Sequence, residues 1–177
     1  PSSTDPIAVR ATGDFSPPIF LNKWGSAGSA TGQFSNPEAV AADAAGNLYV
    51  TDYTNNRVQE FTKDGTFLLT WGSAGSALGQ FNHPSGIARD DSGAVYVGDY
   101  LNHRVQKFTT TGAALLAWGS QGSGNGEFQR PDGIAVGRCG RDLRDTVLVY
   151  VGDSFNNRVQ MFTTSGAFVG TWGSLGT

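Results

Sequence analysis

Short apolar segments alternate with polar, glycine-rich turns along most of the chain. The segments are about four to six residues long and contain β-branched and aromatic residues, as in Phe67–Trp71. Apolar positions do not recur at the spacing of three and four residues that an amphipathic helix requires. Pairs typical of tight turns, such as Gly46-Asn47 and Asp64-Gly65, separate the segments. The pattern predicts an all-β chain of short antiparallel strands.

The strand segments recur in three groups of four. The first strand of each group is predicted at Ala39–Ala41, Ile87–Ala88 and Gly133–Val136, and the second at Leu48–Val50, Val95–Val97 and Val147–Val151. The third is predicted at Arg57–Thr62, Arg104–Thr109 and Arg158–Thr163, and the fourth at Phe67–Trp71, Ala114–Trp118 and Phe168–Trp172. Four strands in a unit of about 40 to 50 residues are typical of a β-propeller blade.

The same side chains mark equivalent positions in each group. A tryptophan followed by Gly-Ser occurs at Trp24, Trp71, Trp118 and Trp172, with spacings of 47, 47 and 54 residues. Further repeated positions are Phe34, Phe81 and Phe128, then Pro37, Pro84 and Pro131, then Asp52, Asp99 and Asp153, then Arg57, Arg104 and Arg158. The third group alone carries an insertion, which lies within residues 138–146 between its first and second strands.

Composition narrows the class of protein further. The 177 residues include 25 glycines, 11% aromatic residues and 15% charged residues, with a net charge of -3. This balance excludes a disordered chain and a strongly basic nucleic-acid binder. No apolar run reaches the roughly 20 residues of a transmembrane helix. The single cysteine, Cys139, excludes an internal disulfide and a thiolate metal cage.

The repeated motif resembles a known family. Gly-Gln-Phe-x-x-Pro-x-Gly-Ile-Ala, followed by Val-Tyr-Val-x-Asp-x-x-Asn-x-Arg-Val-Gln-x-Phe, is similar to the NHL repeat, and three consecutive copies cover residues 24–172. Ala39 in place of the usual Gly, Glu127 in place of Gln, and the insertion are the departures. The resemblance implies β-propeller blades of four antiparallel strands. It divides the chain into an N-terminal arm with partial-blade strands (1–23) and three NHL blades (24–71, 72–118 and 119–177, the last with the insertion 138–146).

The number of blades predicts association. Propellers close with about four to eight blades, so three blades are half of a six-bladed ring. Upstream, Ile19–Trp24 matches a fourth strand and Gly13–Ser16 weakly matches a third, which predicts part of another blade. Open blades expose strand edges and apolar faces. We therefore expect a homodimer that completes the ring, or docking onto a larger assembly; the alternative is that the sequence is a piece of a longer propeller chain. Because the chain begins with Pro1 rather than Met, we also expect that a preceding segment has been removed.

The repeated Asp and Arg residues have a structural interpretation. Each Asp ends a strand and can accept hydrogen bonds from amides of the following loop, and the Arg five positions later can pair with it in a fork. The predicted pairs are Asp52 with Arg57, Asp99 with Arg104, and Asp153 with Arg158. Three identical copies argue against catalysis, since active sites are usually asymmetric. We assign no catalytic residue.

Binding is expected on one face of the blades. The loops before the first strand and between the second and third strands lie on that face, and their variable residues are the candidates. The predicted binding rim is Tyr53, Thr54, Tyr100, Leu101, Phe155, His83, His103 and Arg130. Glu38, Ser85 and Asp132 follow the repeated proline and are predicted at the mouth of a central channel. Aromatic rims suit contact with protein or carbohydrate; ordinary loop packing is the alternative.

The insertion is the one asymmetric feature, and it is predicted on the face opposite the rim. Its Arg138, Arg141 and Arg144 are candidates for a partner contact, with a tolerated loop extension as the alternative. The resemblance raises RNA binding, because some animal NHL proteins bind RNA on a basic face. Asp142 and Asp145 interleave with the insertion arginines, however, so we expect no nucleic-acid partner.

Taken together, these features favour a non-enzymatic module for protein–protein interaction or scaffolding, without a cofactor. The alternative is a lyase or hydrolase, because enzymes similar to this family, such as the peptidyl-hydroxyglycine lyase, hold zinc with three histidines. This chain has only His83 and His103, so two copies would be needed, and the zinc content of purified protein separates the two hypotheses. A channel ion such as Ca²⁺, held by backbone carbonyls, stays open. The low charge favours a secreted, periplasmic or cell-surface location.

Overall fold

A computed structural model describes residues 23–139 and 146–173, and it folds them into three four-stranded antiparallel sheets. In each sheet the strands lie side by side in chain order. Blade 1 consists of β3 (Pro37–Ala42), β4 (Leu48–Asp52), β5 (Arg57–Phe61) and β6 (Phe67–Trp71). Blade 2 consists of β7 (Pro84–Arg89), β8 (Val95–Asp99), β9 (Arg104–Phe108) and β10 (Ala114–Trp118). Blade 3 consists of β11 (Pro131–Cys139), β12 (Thr146–Asp153), β13 (Arg158–Thr163) and β14 (Phe168–Trp172).

This architecture confirms the all-β prediction and the three blades. The first strand of each blade begins at the repeated proline, earlier than predicted, and the second strand ends at the repeated Asp. In blade 3 the insertion lengthens both strands of the first hairpin, which pair as far as Cys139 and Thr146. The tip of the insertion and the predicted partial-blade strands before residue 23 lie outside the described residues.

The loops that lead into the blades contain short elements that the sequence did not predict. In front of blade 1, β1 (Ser26–Ala27) pairs in parallel with β2 (Gln33–Phe34), and single parallel bridges join Ala74 to Phe81 and Gln121 to Phe128 in the other two loops. One-turn 3₁₀ helices, Tyr100–Asn102 and Ser154–Asn156, connect the second and third strands of blades 2 and 3. These turns hold the variable loop residues close to the strand ends.

The hydrophobic core lies between neighbouring blades. We call the side of a blade that is turned toward the next blade along the chain its trailing face, and the opposite side its leading face. Between blades 1 and 2, the trailing residues Tyr49, Val58 and Trp71 pack against the leading residues Phe81 and Phe108. An equivalent cluster, which includes Tyr96, Trp118, Phe128 and Phe162, lies between blades 2 and 3. Burial of apolar area at these two contacts holds the blades together.

Each contact has a tryptophan at its outer edge, packed in a socket made of two phenylalanines and a glycine. Trp71 lies 5.9 Å from Phe108 between ring centroids, and Trp118 lies 5.9 Å from Phe162. Trp24 fills the equivalent place on blade 1, 4.6 Å from Phe61. The sockets are Phe34, Phe61 and Gly65 in blade 1; Phe81, Phe108 and Gly112 in blade 2; and Phe128, Phe162 and Gly166 in blade 3.

Candidate interaction surfaces

The repeated Asp carboxylates are buried, and each accepts several hydrogen bonds. In blade 1, Asp52 Oδ1 accepts from the Ser35 amide at 2.7 Å. Its Oδ2 accepts from Arg57 Nε at 2.8 Å and from Asn55 Nδ2 at 2.9 Å. Asp99 and Asp153 have the same partner types in their own blades. The backbone amide comes from the loop before the blade and not, as expected, from the loop that follows the Asp.

The repeated arginines clamp that leading loop. Arg104 gives only its Nε to Asp99, at 2.7 Å, while its two terminal nitrogens donate to the carbonyl oxygens of Ser76, Ala77 and Gln80 at 2.7 to 2.9 Å. The contact is therefore a single side-on hydrogen bond rather than the predicted fork. Arg57 and Arg158 repeat this arrangement. All three guanidinium groups form hydrogen bonds within the chain. They are therefore not available to bind an anionic ligand.

A buried glutamine completes each network, and the sequence reasoning missed it. In blade 2, Gln106 accepts from the Gly79 amide at 2.9 Å and donates to the Gln80 carbonyl at 2.6 Å and to Asp99 at 3.0 Å. Gln59 and Gln160 occupy the same position. The signal was available, since all three follow Arg-Val, but the strand pattern gave no reason to expect a fully buried amide there.

Five of the predicted rim residues form a continuous row across the three blades. The ring of Tyr53 lies 4.5 Å from His83 and 6.1 Å from Tyr100. The Arg130 guanidinium carbon lies 5.7 Å from the ring centroid of Tyr100 and 4.5 Å from that of Phe155. Phe155 is 55% exposed. This rim row places one cationic group, Arg130, between aromatic rings, an arrangement that suits aromatic, apolar and acidic groups of a protein partner.

Burial is the largest cause that raises the pKa of Tyr53, and the neighbouring Tyr100, Glu38 and Asp132 raise it further, against the opposite effect of Arg130. The Tyr53 hydroxyl therefore keeps its proton well beyond neutral pH and can act as a hydrogen-bond donor. Its acidic neighbours place negative charge beside the rim row as well.

The backbone of the rim row is held by the preceding blade. His83 and Arg130 have left-handed φ values of 62° and 61°, which non-glycine residues rarely adopt. The His83 amide donates to Asn56 Oδ1 at 2.8 Å, and the Arg130 amide donates to His103 Nδ1 at 3.2 Å. His103 is thus part of a contact between blades as well as a predicted rim residue. Thr54 and Leu101 anchor the loops through their amides, which donate to Ser35 and Asn82 carbonyls.

The three residues predicted at the channel mouth have different surroundings. Glu38 is exposed and Asp132 is half-buried. Ser85 is buried where strands β7 and β11 lie side by side. Its hydroxyl donates a hydrogen bond to the Pro131 carbonyl at 2.9 Å. Ser85 therefore joins blades 2 and 3 and is not open to a channel.

The two histidines do not assemble a metal site. Within residues 23–139 and 146–173, no group of three His, Cys, Asp or Glu side chains is placed to hold a metal ion. His83 Nδ1 lies 2.9 Å from Asn82 Oδ1, and His103 Nδ1 accepts the Arg130 amide as described above.

The insertion begins with an ion pair between blades. Arg138 Nη2 lies 2.9 Å from Asp91 Oδ2, with both side chains more than half exposed. An exposed pair of this kind contributes little to stability. Arg141 and Arg144 lie outside the described residues.

Three residues on the trailing face of blade 3 are more exposed than their counterparts in blade 1. Trp172 is 49% exposed, whereas the equivalent Trp71 is 8% exposed. Tyr150 and Val159 are also more exposed than Tyr49 and Val58, their counterparts in blade 1. Among the described residues no socket holds the Trp172 ring, which contacts Tyr150 of its own blade at 5.9 Å. The same side chains that form the contacts between blades are thus presented to the outside.

The leading face of blade 1 is open only in part. Phe61 is buried beneath Trp24. Nearer the first strand, Val40 is 60% exposed, while its counterpart Ile87 in blade 2 is 6% exposed. Pro37 is likewise exposed where Pro84 and Pro131 are buried.

Comparison with known families identifies the repeat. The sequence model of the NHL repeat matches residues 34–61 and 81–108, each running from the first socket phenylalanine to the second. These segments are NHL repeats. In blade 3 the NHL pattern recurs between Phe128 and Phe162, where the insertion interrupts it.

The similar curated proteins share one short region with this chain. B-box type zinc finger protein ncl-1 of Caenorhabditis elegans and Protein brain tumor of Drosophila melanogaster are each 41% identical over 49 residues, or 28% of this chain. The chain spans 6% and 5% of the lengths of these two relatives.

Solved structures of two lyases share the fold. A streptogramin B lyase structure superposes with a TM-score of 0.57 at 17% identity, over 82% of this chain and 42% of that one. A catalytically inactive virginiamycin B lyase from Staphylococcus aureus with quinupristin gives a TM-score of 0.59 at 15% identity, over 84% and 43%. At these identities the likeness shows the propeller fold alone.

Both helices in the described ranges are single 3₁₀ turns, too short to cross a membrane.

Proposed function

We propose that this chain is a non-enzymatic NHL β-propeller module that binds protein through the trailing face of blade 3, with a second copy of the chain as the partner. The observation that carries the proposal is the exposure of Trp172, 49% against 8% for Trp71 at the same position of blade 1. On that face a tryptophan, a tyrosine and a valine are more exposed than their counterparts in blade 1, which the next blade covers.

A second copy is the partner that fits this face best. Blades 2 and 3 themselves display what covers such a face, namely the leading face of an NHL blade, and the second copy offers one in its blade 1. Two copies joined at both ends would supply six blades, within the range of about four to eight that closes a propeller. The low charge and the Ser/Thr/Gly-rich loops suit a secreted, periplasmic or cell-surface scaffold.

Sedimentation equilibrium of the wild-type chain and two variants tests the proposal. Trp172→Ala removes the exposed tryptophan and should weaken self-association at least about tenfold, as expected for a central aromatic anchor. Val169→Ala is the matched control, because Val169 lies on the same strand and is also 49% exposed. Its counterparts Leu68 and Leu115 are 44% and 50% exposed, so blade packing does not cover this position. Val169→Ala should associate like the wild type.

Two outcomes contradict the proposal. One is a wild-type chain that stays monomeric up to its solubility limit. The other is a dimer that Trp172→Ala and Val169→Ala weaken to the same extent, because association would then not depend on the trailing face.

A further inference from the structure

The chain has four tryptophans of the repeat, and the residues that the structure describes form three sockets for them. Trp24, Trp71 and Trp118 fill the sockets of blades 1, 2 and 3, and Trp172 remains outside. Within the described ranges, a second copy therefore offers one exposed tryptophan and no empty socket. Any contact that buries Trp172 in the manner of Trp71 must first vacate a socket.

Trp24 fits its socket as closely as the other two tryptophans fit theirs. Its ring lies 4.6 Å from Phe61 and 6.1 Å from Phe34. Gly65 lies directly against the indole, so that a Cβ on this residue would overlap the Trp24 ring, as a Cβ on Gly112 would overlap Trp71. A ring from another chain has no room beside it.

We propose that Trp24 is a built-in competitor for the docking socket of blade 1, so that two copies join by exchanging Trp24 for the partner's Trp172. This inference rests on the proposed self-association and names the residue that limits it. Because one indole replaces another in the same socket, the exchange gains little at the socket itself.

The gain comes from the surface around the socket. Val40 and Pro37 on the leading face, and Tyr150 and Val159 on the trailing face, are more exposed than their counterparts at the contacts between blades. Covering them removes apolar area from water in the same way as the contact between blades 1 and 2. Part of this free energy is offset by the cost of displacing Trp24 from its socket. The remainder determines the affinity of the dimer.

Removing the competitor should strengthen association. A binding surface that is free in only a tenth of the molecules binds about tenfold more weakly than one that is always free. We therefore expect Trp24→Ala to tighten the dimer at least about tenfold relative to the wild type, measured by sedimentation equilibrium. The double variant Trp24→Ala/Trp172→Ala should lose this gain, since the socket is open but the partner's tryptophan is missing. Adding Val169→Ala to Trp24→Ala should leave the gain intact.

The outcomes separate the inference from the function on which it rests. If the wild type and Trp24→Ala associate with equal strength, Trp24 is not a competitor, while the proposed function stands. If neither associates, both are wrong. If the double variant associates as tightly as Trp24→Ala, the open socket promotes association without the partner's Trp172, and the proposed exchange is wrong.

A measurement on the unaltered sequence covers the case in which Trp24→Ala destabilises blade 1. The wild type labelled with 5-fluorotryptophan gives four fluorine NMR signals, one for each tryptophan, assigned with single Trp→Phe variants. As the protein concentration rises, the signals of Trp24 and Trp172 should change together, and those of Trp71 and Trp118 should not. A Trp172 signal that changes while Trp24 stays constant overturns the exchange.

Discussion

At the scale of the residue, the repeated polar side chains of this protein serve the fold. Each repeated Asp accepts hydrogen bonds from a backbone amide, an asparagine, an arginine and a glutamine, so that its carboxylate is committed to the fold. Each repeated arginine donates hydrogen bonds to the loop that leads into its own blade. The residues free to bind are the ones that differ between blades, such as Tyr53, Arg130 and Phe155 in the rim row.

A comparison of the socket glycine Gly112 with Gly32, which lies outside the sockets, separates steric contact from backbone strain. Gly112 and Gly32 have nearly equal φ values, 76° and 75°, but a Cβ on Gly112 would lie 2.8 Å from the Trp71 ring, whereas a Cβ on Gly32 would meet nothing within 4 Å. Gly32→Ala should cost about 1–2 kcal/mol of stability, from the left-handed backbone alone. Gly112→Ala should cost a further 1–3 kcal/mol or so, because the Trp71 ring must move.

Urea unfolding of the two glycine variants, monitored by tryptophan fluorescence, measures both losses. If both variants lose the same free energy of unfolding, the Trp71 ring moves aside without an energetic penalty. The socket would then not be a tight fit for tryptophan.

At the scale of the element, the hairpin between the first and second strands is built in one way in blades 1 and 2 and in another way in blade 3. In blade 2, Asp90 organises the turn: its Oδ1 accepts from the Ser92 and Ala94 amides at 2.9 and 3.0 Å, and its Oδ2 accepts from the Tyr96 hydroxyl at 2.8 Å. In blade 1, Asp43 makes the same kind of turn with the amides of Ala45 and Asn47. In blade 3 the insertion replaces the turn with a longer pair of strands.

The Asp90 turn should make blade 2 sensitive to acid. Burial pushes the pKa of Asp90 upward, but the hydrogen bonds from Ser92, Tyr96 and the Ala94 amide together outweigh it, and the pKa is lowered from its ordinary value of 3.8. Because the pKa of Asp90 is lower in the folded state, its ionised carboxylate stabilises the fold at pH values above the ordinary pKa. This stabilisation is lost as the pH falls through the folded-state pKa. Asp90→Asn should therefore be less stable by about 1–3 kcal/mol near neutral pH, with a difference that shrinks below about pH 4.

Urea unfolding of the wild type and Asp90→Asn across this pH range measures the effect. Asp91→Asn is the neighbouring control; Asp91 forms an exposed ion pair, so its loss should change stability by less than about 1 kcal/mol. A constant difference between the wild type and Asp90→Asn down to acid pH would contradict the prediction.

At the scale of the whole molecule, stability depends on contacts between blades. The same tryptophan position is buried in blade 1 and exposed in blade 3, so two identical substitutions should differ in effect. In dilute monomer, Trp71→Ala should cost about 3–5 kcal/mol, because it empties a filled socket. Trp172→Ala should cost less than about 1 kcal/mol, because its ring packs only on its own blade.

Chemical denaturation below the concentration of self-association gives both values. Similar losses for the two tryptophans would mean that Trp172 is already packed in the monomer, which would remove the basis for the proposed docking face.

Much of the fold follows from the sequence because local pattern and long-range packing agree. Strands such as Phe67–Trp71 and Ala114–Trp118 have the predicted bounds, since β-branched and aromatic residues end at turns that need glycine. The side-on contact of Arg104 and the burial of Ser85 did not follow, because both depend on a neighbouring loop or blade that no local pattern describes.

By itself, the sequence determined the blades: their number, their four strands, and the Trp, Phe, Asp and Arg residues that mark equivalent positions in each, all of which reflect local geometry repeated three times. Only the tertiary structure decided which tryptophan lies in which socket. Packing assigns Trp24 to blade 1 and leaves Trp172 exposed, because a socket is formed by residues that are distant from its occupant along the chain and has room for one indole.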